Sequence, residues 1–264
     1  MESPPTGTVT FLFTDIEGST RRWQDEPERI GRRRAFDYPY ARPDASFVFD
    51  PRTGAARPAT THDVAGALGD PDRRAVLAIG SNAAPSQLSL KFAGRLTVGS
   101  PVVVAHATWT DHDAVFAARI ASYGAVPATF TASPGTVLRA FVTFVDRSQL
   151  ARLDETEGVS RVDPAYVRVE VRNHEVHVDG AGRLDAVWAY EASPGPLLVD
   201  GQPIALAALA ATHRRFVAWH EFDVLALLAR RNDLSVDDFV DRLQADRTFR
   251  ARMHATLADG VTTR

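Results

Sequence analysis

A glutamate at the predicted end of a helix is the main candidate for chemistry in this sequence. Glu157 ends the run Leu153–Glu157, and Gly158 follows it. Asp146 and Gln149 have the spacing of a capping box at the start of that helix, and glycine is typical of a helix end. A carboxylate at a helix C-terminus meets the negative end of the helix dipole, which disfavours its charge and favours proton uptake. A general base fits this pattern, and so does a solvated acidic turn.

The second candidate is a turn that leads from a strand into a helix. The apolar run Val76–Ile79 enters Gly80-Ser81-Asn82, and Pro85 suits the first turn of a following helix. Glycine lets a ligand approach the backbone closely, and successive N–H groups at such a turn can converge on a carboxylate or an oxyanion. Gly-Ser-Asn also occurs in ordinary turns, so this motif alone leaves both interpretations open.

The two motifs together, in this order, resemble the γ-glutamylcyclotransferase family. Members of that family carry Tyr-Gly-Ser-Asn near the start of the domain, then Leu-Asp-x-x-Glu-Gly, then a tyrosine that leads into another strand. The matching residues here are Gly80-Ser81-Asn82, Leu153–Gly158 and Tyr166, and the segment Ala128–Gly135 is also similar. The resemblance covers residues 76 to 191, approximately.

The resemblance implies an α+β fold with a small closed or strongly curved mixed β-sheet and a pocket at one end. It implies a lyase or acyltransferase, without metal or cofactor, that cyclises a γ-glutamyl amide to 5-oxoproline and releases an amine or amino acid. Glu157 would take a proton from the α-ammonium group of the substrate, and the freed amine would attack the γ-carbonyl. Such a ring closure needs a held conformer, a base and oxyanion donors. The implied substrate-binding residues are Gly80, Ser81, Asn82, Ala83 and Tyr166.

One residue departs from the family pattern. Ile79 stands where the family usually has tyrosine, which removes a hydroxyl group from the implied pocket. The sequence therefore leaves two hypotheses for the same fold: the enzyme with Glu157 as general base, and a non-catalytic or differently specialised domain that binds a small molecule.

The N-terminal stretch resembles another family. Gly7–Thr20 is similar to the opening of class III adenylate and guanylate cyclase domains, in which the aspartate matching Asp15 binds a metal ion. That site needs a second aspartate, usually in a Gly-Asp-Gly turn, and no Gly-Asp-Gly occurs in this sequence. One carboxylate cannot bridge two Mg²⁺ ions for phosphoryl transfer. Residues 1–28 are therefore interpreted as a cyclase-like fragment, and a cyclase relic is the third hypothesis.

Composition and hydrophobic patterns divide the rest of the chain into three regions. Residues 29–73 are rich in Pro, Arg, Asp, Gly and Ala, which predicts a linker with a short strand at Phe47–Phe49. Strand patterns dominate residues 74–200. Residues 201–264 are predicted to be a helical extension whose first helix is Ile204–Ala211. Strands followed by helices favour an α+β fold over a doubly wound sheet.

Composition narrows the class of partner. The 264 residues are 45% hydrophobic and 24% charged, which is typical of a globular chain. A net charge of −3 favours neither nucleic acid nor an anionic membrane as partner. The absence of cysteine excludes disulfides and thiolate chemistry and weakly favours a cytoplasmic location. We expect a small-molecule γ-glutamyl substrate, and the oligomeric state stays open.

Overall fold

The computed structural model describes residues 27–92, 100–172 and 175–263. Helices and strands alternate irregularly along the chain. The helices are α1 (Pro27–Phe36), α2 (Thr61–Gly69), α3 (Pro85–Phe92), α4 (Arg147–Glu157), α5 (Glu221–Arg230), α6 (Val236–Ala245) and α7 (Arg247–Ala258). The longer strands are β3 (Arg74–Ala78), β4 (Val102–Phe116), β5 (Ala128–Val145), β6 (Tyr166–Arg172) and β9 (Ala186–Ala192). The short strands are β1 (Phe47–Phe49), β2 (Ala56–Pro58), β7 (Val176–Val178), β8 (Gly182–Arg183), β10 (Leu198–Val199), β11 (Gln202–Pro203), β12 (Ala205–Leu206), β13 (Ala211–Thr212) and β14 (Ala218–Trp219).

Two long antiparallel strands form the centre of a mixed sheet. β4 and β5 pair from Val103 opposite Phe144 to Phe116 opposite Ala128, with one irregularity after Thr110. β3 is antiparallel to β5 and parallel to β9, and the strand order is β14-β12-β4-β5-β3-β9-β6. Within the described residues, β14 and β6 do not pair with each other. The combination of helices with a mixed sheet agrees with the prediction, but the sheet is open and the predicted closure is not confirmed.

The stretch predicted as a linker contains packed elements. β1 is the predicted short strand, and it pairs with β2 and with the edge of β4. Phe47 and Phe49 are almost fully buried. Helix α2 begins with a capping box between Thr60 and Asp63. The structure differs from a linker because burying a phenylalanine stabilises a fold by about 1.5–3 kcal/mol, which outweighs a Pro- and Arg-rich composition. The domain boundaries as such stay a prediction.

The C-terminal segment begins with strands where a helix was predicted. Instead of a helix at Ile204–Ala211, β12 pairs with β4 and β14, and β13 pairs with β5. Ile204, Ala205 and Leu206 are buried. Helix propensity differs by less than about 1 kcal/mol per residue, so contacts with the sheet override it. Helices α5 to α7 follow, and Ser235 caps α6 through the backbone N–H of Asp238, as predicted.

Two hydrophobic clusters form the core. The larger includes Trp109 and Phe116 on the central strands together with side chains of α5, α6 and α7. The smaller includes Leu153 of α4, Phe141 of β5 and Ala83. Helix α4 is therefore anchored beside the long strand that precedes it. In the parts of the chain that the structure describes, no helix has the length and apolar character needed to cross a membrane.

Candidate active site

Helix α4 places Glu157 at its last turn. Asp146 accepts a hydrogen bond from the Gln149 backbone N–H at 2.9 Å, and the Gln149 side chain accepts one from the Asp146 N–H at 2.9 Å. Gly158 ends the helix with φ of 73°, and its N–H bonds back to the carbonyl groups of Asp154 and Glu155. That left-handed conformation favours glycine, so the predicted start and end of this helix are both found.

Asp154 fastens the same helix to the sheet. Its Oδ1 accepts a hydrogen bond from the Tyr190 hydroxyl group at 2.8 Å, and its Oδ2 forms an ion pair with Arg168. Burial, with the adjacent Asp154 carboxylate, raises the pKa of Tyr190, so this hydroxyl group remains a donor. The aspartate of the Leu-Asp-x-x-Glu-Gly motif thus connects α4 to β6 and β9.

The Gly80-Ser81-Asn82 turn follows β3 and leads through a short 3₁₀ helix, Ser81–Ala83, into α3. The first N–H groups of a helical turn have no acceptor within that turn. A Cβ atom on Gly80 would lie 2.7 Å from the hydroxyl oxygen of Tyr38, closer than real Cβ atoms approach other atoms. Glycine therefore suits this position, because any side chain here would force the Tyr38 hydroxyl group to move.

Glu157 and this turn meet directly. The Asn82 side-chain amide donates to Glu157 Oε1 at 3.2 Å, and Lys91 Nζ donates to the same oxygen at 2.6 Å. Lys91 also donates to the Asn82 side-chain oxygen. The side chains of Lys91 and Glu157 are 13% and 15% exposed. Within the described residues, Glu157 Oε2 has no hydrogen-bond partner, so it is the oxygen available to a ligand.

Lys91 is a site residue that the sequence analysis does not identify. Its ammonium group donates to both Glu157 and Asn82, so it ties the end of α4 to the turn after β3. The chain has 30 lysine and arginine residues, and Lys91 is its single lysine. A single lysine in a chain that otherwise uses arginine was the one indication of its role. The compact ammonium group of lysine fits beside one carboxylate oxygen, whereas the planar guanidinium group of arginine does not.

These residues line a cavity of about 500 Å³. This volume lies within the range of small-molecule sites. Ile79 belongs to the wall and leaves the cavity open. Ala83 is a predicted site residue that does not line it; Ala83 is fully buried in the smaller hydrophobic cluster because the 3₁₀ turn directs it towards the core. The predicted site residues that do line the cavity are Gly80, Ser81, Asn82, Glu157 and Tyr166.

Two tyrosines hold the start of β5 beside the cavity. Tyr166 donates to the Ala128 carbonyl oxygen at 3.0 Å, and the Ala128 N–H donates to the Tyr38 hydroxyl oxygen at 2.7 Å. Burial raises the pKa of both tyrosines, and the charge of Glu157 raises that of Tyr166 further. Both hydroxyl groups therefore keep their protons. Tyr38 brings a hydroxyl group against the turn that follows Ile79, and it comes from the stretch predicted as a linker.

The C-terminal helices build another part of the wall. The loop 117–127 between β4 and β5 contributes Arg119 and Tyr123 to the cavity. One side chain from each of α5, α6 and α7 bonds to the backbone of this loop. These contacts are Glu221 Oε1 with the Val126 N–H at 2.6 Å, Gln244 Nε2 with the Tyr123 carbonyl at 2.8 Å, and His254 Nε2 with the Ile120 carbonyl at 2.7 Å. The sequence predicts helices in this region, but it does not predict their contacts with the cavity wall.

Within the residues that the structure describes, no group of three or more His, Cys, Asp or Glu side chains could hold a metal ion. Asp15 and the rest of the cyclase-like motif lie outside the described residues. The resemblance of that motif to nucleotide cyclases stays a prediction.

Comparisons with known proteins give distant structural similarities. No protein-family model and no curated protein matches this chain. A solved γ-glutamyl cyclotransferase is similar with a TM-score of 0.37 and 16% identity, over 69% of this chain and 99% of that one. An uncharacterized protein from Homo sapiens has a TM-score of 0.38 and 17% identity, over 69% and 98%. A protein from Arabidopsis thaliana has a TM-score of 0.34 and 19% identity, over 46% and 70%. A functional assignment must therefore rest on the site itself.

Proposed function

We propose that this chain is a γ-glutamylcyclotransferase-like enzyme that converts a γ-glutamyl amide to 5-oxoproline and releases an amine or amino acid. One observation carries the proposal. Glu157, at the end of α4, is hydrogen-bonded to Asn82 of the Gly80 turn beside a cavity of about 500 Å³. This contact between two motifs that are distant in sequence, beside a cavity, supports the proposal.

The first step of the proposed reaction is proton transfer to Glu157. Asn82 and Lys91 hold Oε1, which leaves Oε2 to accept a proton from the α-ammonium group of the substrate. These two contacts fix the orientation of the carboxylate group. A positioned base of this kind contributes about 10²–10⁴-fold to a rate.

Ring closure follows within the same molecule. The lone pair of the freed amine attacks the γ-carbonyl carbon, and a new C–N bond closes the five-membered lactam. Backbone N–H groups of the Gly80-Ser81-Asn82 turn stabilise the negative charge that develops on the carbonyl oxygen. The oxyanion re-forms the carbonyl group as the bond to the leaving nitrogen breaks, and Glu157 returns its proton to that nitrogen. The ring nitrogen gives its second proton to the released amine, which leaves as an ammonium ion. The reaction is unimolecular, so holding the folded conformer supplies much of the catalysis.

A second candidate is a non-catalytic domain of the same fold that binds a small molecule. The observation that favours it is the position of Lys91, whose ammonium group already lies 2.6 Å from Glu157 Oε1. A substrate ammonium group would make a similar contact with this carboxylate. In that case Glu157 and Lys91 form a structural pair at the rim of a ligand site.

Product formation separates the two candidates. Purified protein is incubated with a panel of γ-glutamyl dipeptides and γ-glutamyl amines, and 5-oxoproline is quantified. We expect turnover by the wild type and a loss of about 10²–10⁴-fold in Glu157→Gln, which keeps the shape but removes the base. The matched control is Glu155→Gln on the same helix, because the Glu155 side chain is 70% exposed.

The control variant should retain wild-type activity. Equal turnover by wild type and Glu157→Gln would show that Glu157 is not the base. Binding of a panel compound without any 5-oxoproline would support the second candidate.

A further inference from the structure

The lining of the cavity has an excess of positive charge. Among the described residues that line it, Glu157 is the one acidic side chain, and it pairs with Lys91. The lining also contains four guanidinium groups, which we call the arginine subsite. In the described part of the chain, none of the four has an ion-pair partner. They belong to Arg34, Arg119, Arg161 and Arg250.

Arg119 is the member with unsatisfied buried donors. Its Nε and Nη1 atoms are buried and have no hydrogen-bond partner within the described residues. Its guanidinium carbon lies 5.1 Å from the centre of the Tyr166 ring, which places the charge next to a residue of the candidate active site. A buried charged donor without an acceptor is costly, so this arrangement is expected where a ligand supplies the acceptor.

The protein holds Arg119 in place without neutralising it. His254 of α7 bonds to the carbonyl oxygen of Ile120, the next residue in the loop. A carbonyl oxygen accepts only, so the imidazole Nε2 carries the proton. Burial, with the nearby positive charges of Arg119 and Arg250, lowers the pKa of His254 and keeps the ring neutral. Three C-terminal helices therefore brace a loop that presents an unpaired cation to the cavity.

We propose that the arginine subsite binds a carboxylate group of the ligand and that Arg119 contacts it directly. The proposal rests on the proposed function for the identity of the ligand. A γ-glutamyl amino acid offers two such groups, the α-carboxylate of the glutamyl part and the carboxylate of the leaving amino acid. A γ-glutamyl amine offers the first group alone. A guanidinium group is well suited to either, because its rigid donors match carboxylate oxygens.

Matched ligand pairs distinguish the two sources of the carboxylate. Calorimetric binding of 5-oxoproline is compared with that of 2-pyrrolidinone, the same ring without the carboxylate. Binding of γ-glutamylalanine is compared with that of γ-glutamylethylamide in the Glu157→Gln background, which prevents turnover. Each pair is measured with and without Arg119→Gln. Arg119→Lys is the partial rescue, and Arg215→Gln is the control, because Arg215 is exposed and lies outside the cavity lining.

Two results support the proposal. If Arg119 holds the α-carboxylate, Arg119→Gln weakens binding of 5-oxoproline about 10- to 100-fold and leaves 2-pyrrolidinone unchanged. If it holds the carboxylate of the leaving amino acid, the variant loses the preference for γ-glutamylalanine by a similar factor and binds 5-oxoproline normally. Unchanged binding of all four compounds by a folded Arg119→Gln overturns the proposal.

Inorganic phosphate tests the subsite independently of the reaction. Phosphate should raise the melting temperature of the wild type and of Arg215→Gln more than that of Arg119→Gln. If this difference appears but no panel compound yields 5-oxoproline, the subsite stands and the proposed function fails. If 5-oxoproline forms and Arg119→Gln has wild-type kcat and KM, the proposed function stands and the subsite is refuted. A phosphate effect equal in all three proteins, without a difference between the ligand pairs, also refutes it.

Discussion

Two parts of the cavity wall differ in how their charges are satisfied. The motif wall, formed by Gly80–Asn82, Glu157 and Lys91, is internally paired: its carboxylate, amide and ammonium groups bond to one another. The braced wall, formed by the loop 117–127 with Arg119, has a fixed backbone and a guanidinium group with unpaired nitrogens. The first arrangement orients a group in advance of the ligand, and the second leaves donors for the ligand to satisfy.

We expect that removing one member of the paired groups in the motif wall lowers stability and activity more than a change in the braced wall does. Lys91→Met should lower the free energy of unfolding by about 2–3 kcal/mol, somewhat less than the 3–5 kcal/mol of a fully buried pair, because both side chains are slightly exposed. The expected loss of activity is tenfold or more, since Glu157 loses its orientation. Chemical denaturation and the 5-oxoproline assay measure the two effects.

Lys91→Arg is the control that keeps the positive charge but changes the shape of the charged group. It should recover part of the stability and less of the activity, because a planar guanidinium group cannot reproduce the contact of Nζ with both Glu157 and Asn82. Wild-type stability in Lys91→Met would mean that the motif wall is not held by this pair, and the contrast with the braced wall would disappear.

Substitution of Gly80, which is closely packed, should give the next largest loss of stability. Gly80→Ala places a Cβ atom 2.7 Å from the Tyr38 hydroxyl oxygen. We expect a loss of about 1–3 kcal/mol in the free energy of unfolding, as for overpacking in a core. Tyr38→Phe alone should also destabilise, because the Ala128 N–H loses its acceptor.

The double variant Gly80→Ala/Tyr38→Phe sharpens this test. Removing the hydroxyl oxygen relieves the overlap, so the double variant should be more stable than the sum of the two single losses predicts. Strict additivity in denaturation midpoints would show that Tyr38 does not pack against the turn.

The smallest expected effect concerns the brace of the Arg119 loop. The pKa of His254 is lowered in the folded protein from its usual value of 6.5. At pH values between the pKa of the folded protein and that of the unfolded chain, the unfolded chain therefore binds more protons. This contribution to stability is complete above about pH 6.5 and is lost as the pH falls through that window.

The variant His254→Gln tests whether His254 causes this loss of stability at low pH. Glutamine can donate to the Ile120 carbonyl group but does not titrate, so the variant should lose less stability than the wild type between about pH 7 and about pH 5. His106, whose pKa burial also lowers, is present in both proteins and cancels in the difference. A steeper loss of stability in the variant would contradict the assignment of His254 as a neutral brace.

Predictability from sequence also differs between the two walls. Glu157 and the Gly80 turn lie at ends of helices and strands, and such ends have local signatures: Asp146 with Gln149, Gly158, and the glycine after a buried strand. The inward direction of Ala83 was not predictable, because it depends on a 3₁₀ turn that places Ala83 in the smaller hydrophobic cluster. Lys91, Tyr38 and Arg119 have no local signature, since their roles come from contacts with distant residues.

Local patterns in the chain were sufficient for the helix α4 with its caps, for the turn after β3 and for a fold that combines helices with strands. They sufficed because capping, glycine conformation and apolar runs act over a few residues. The open sheet, the packing of β1 and α2, the β12 strand and the bracing of the Arg119 loop were decided in three dimensions. Those features depend on burial and pairing between segments far apart in the chain, and such contacts outweigh the small energies of local propensity.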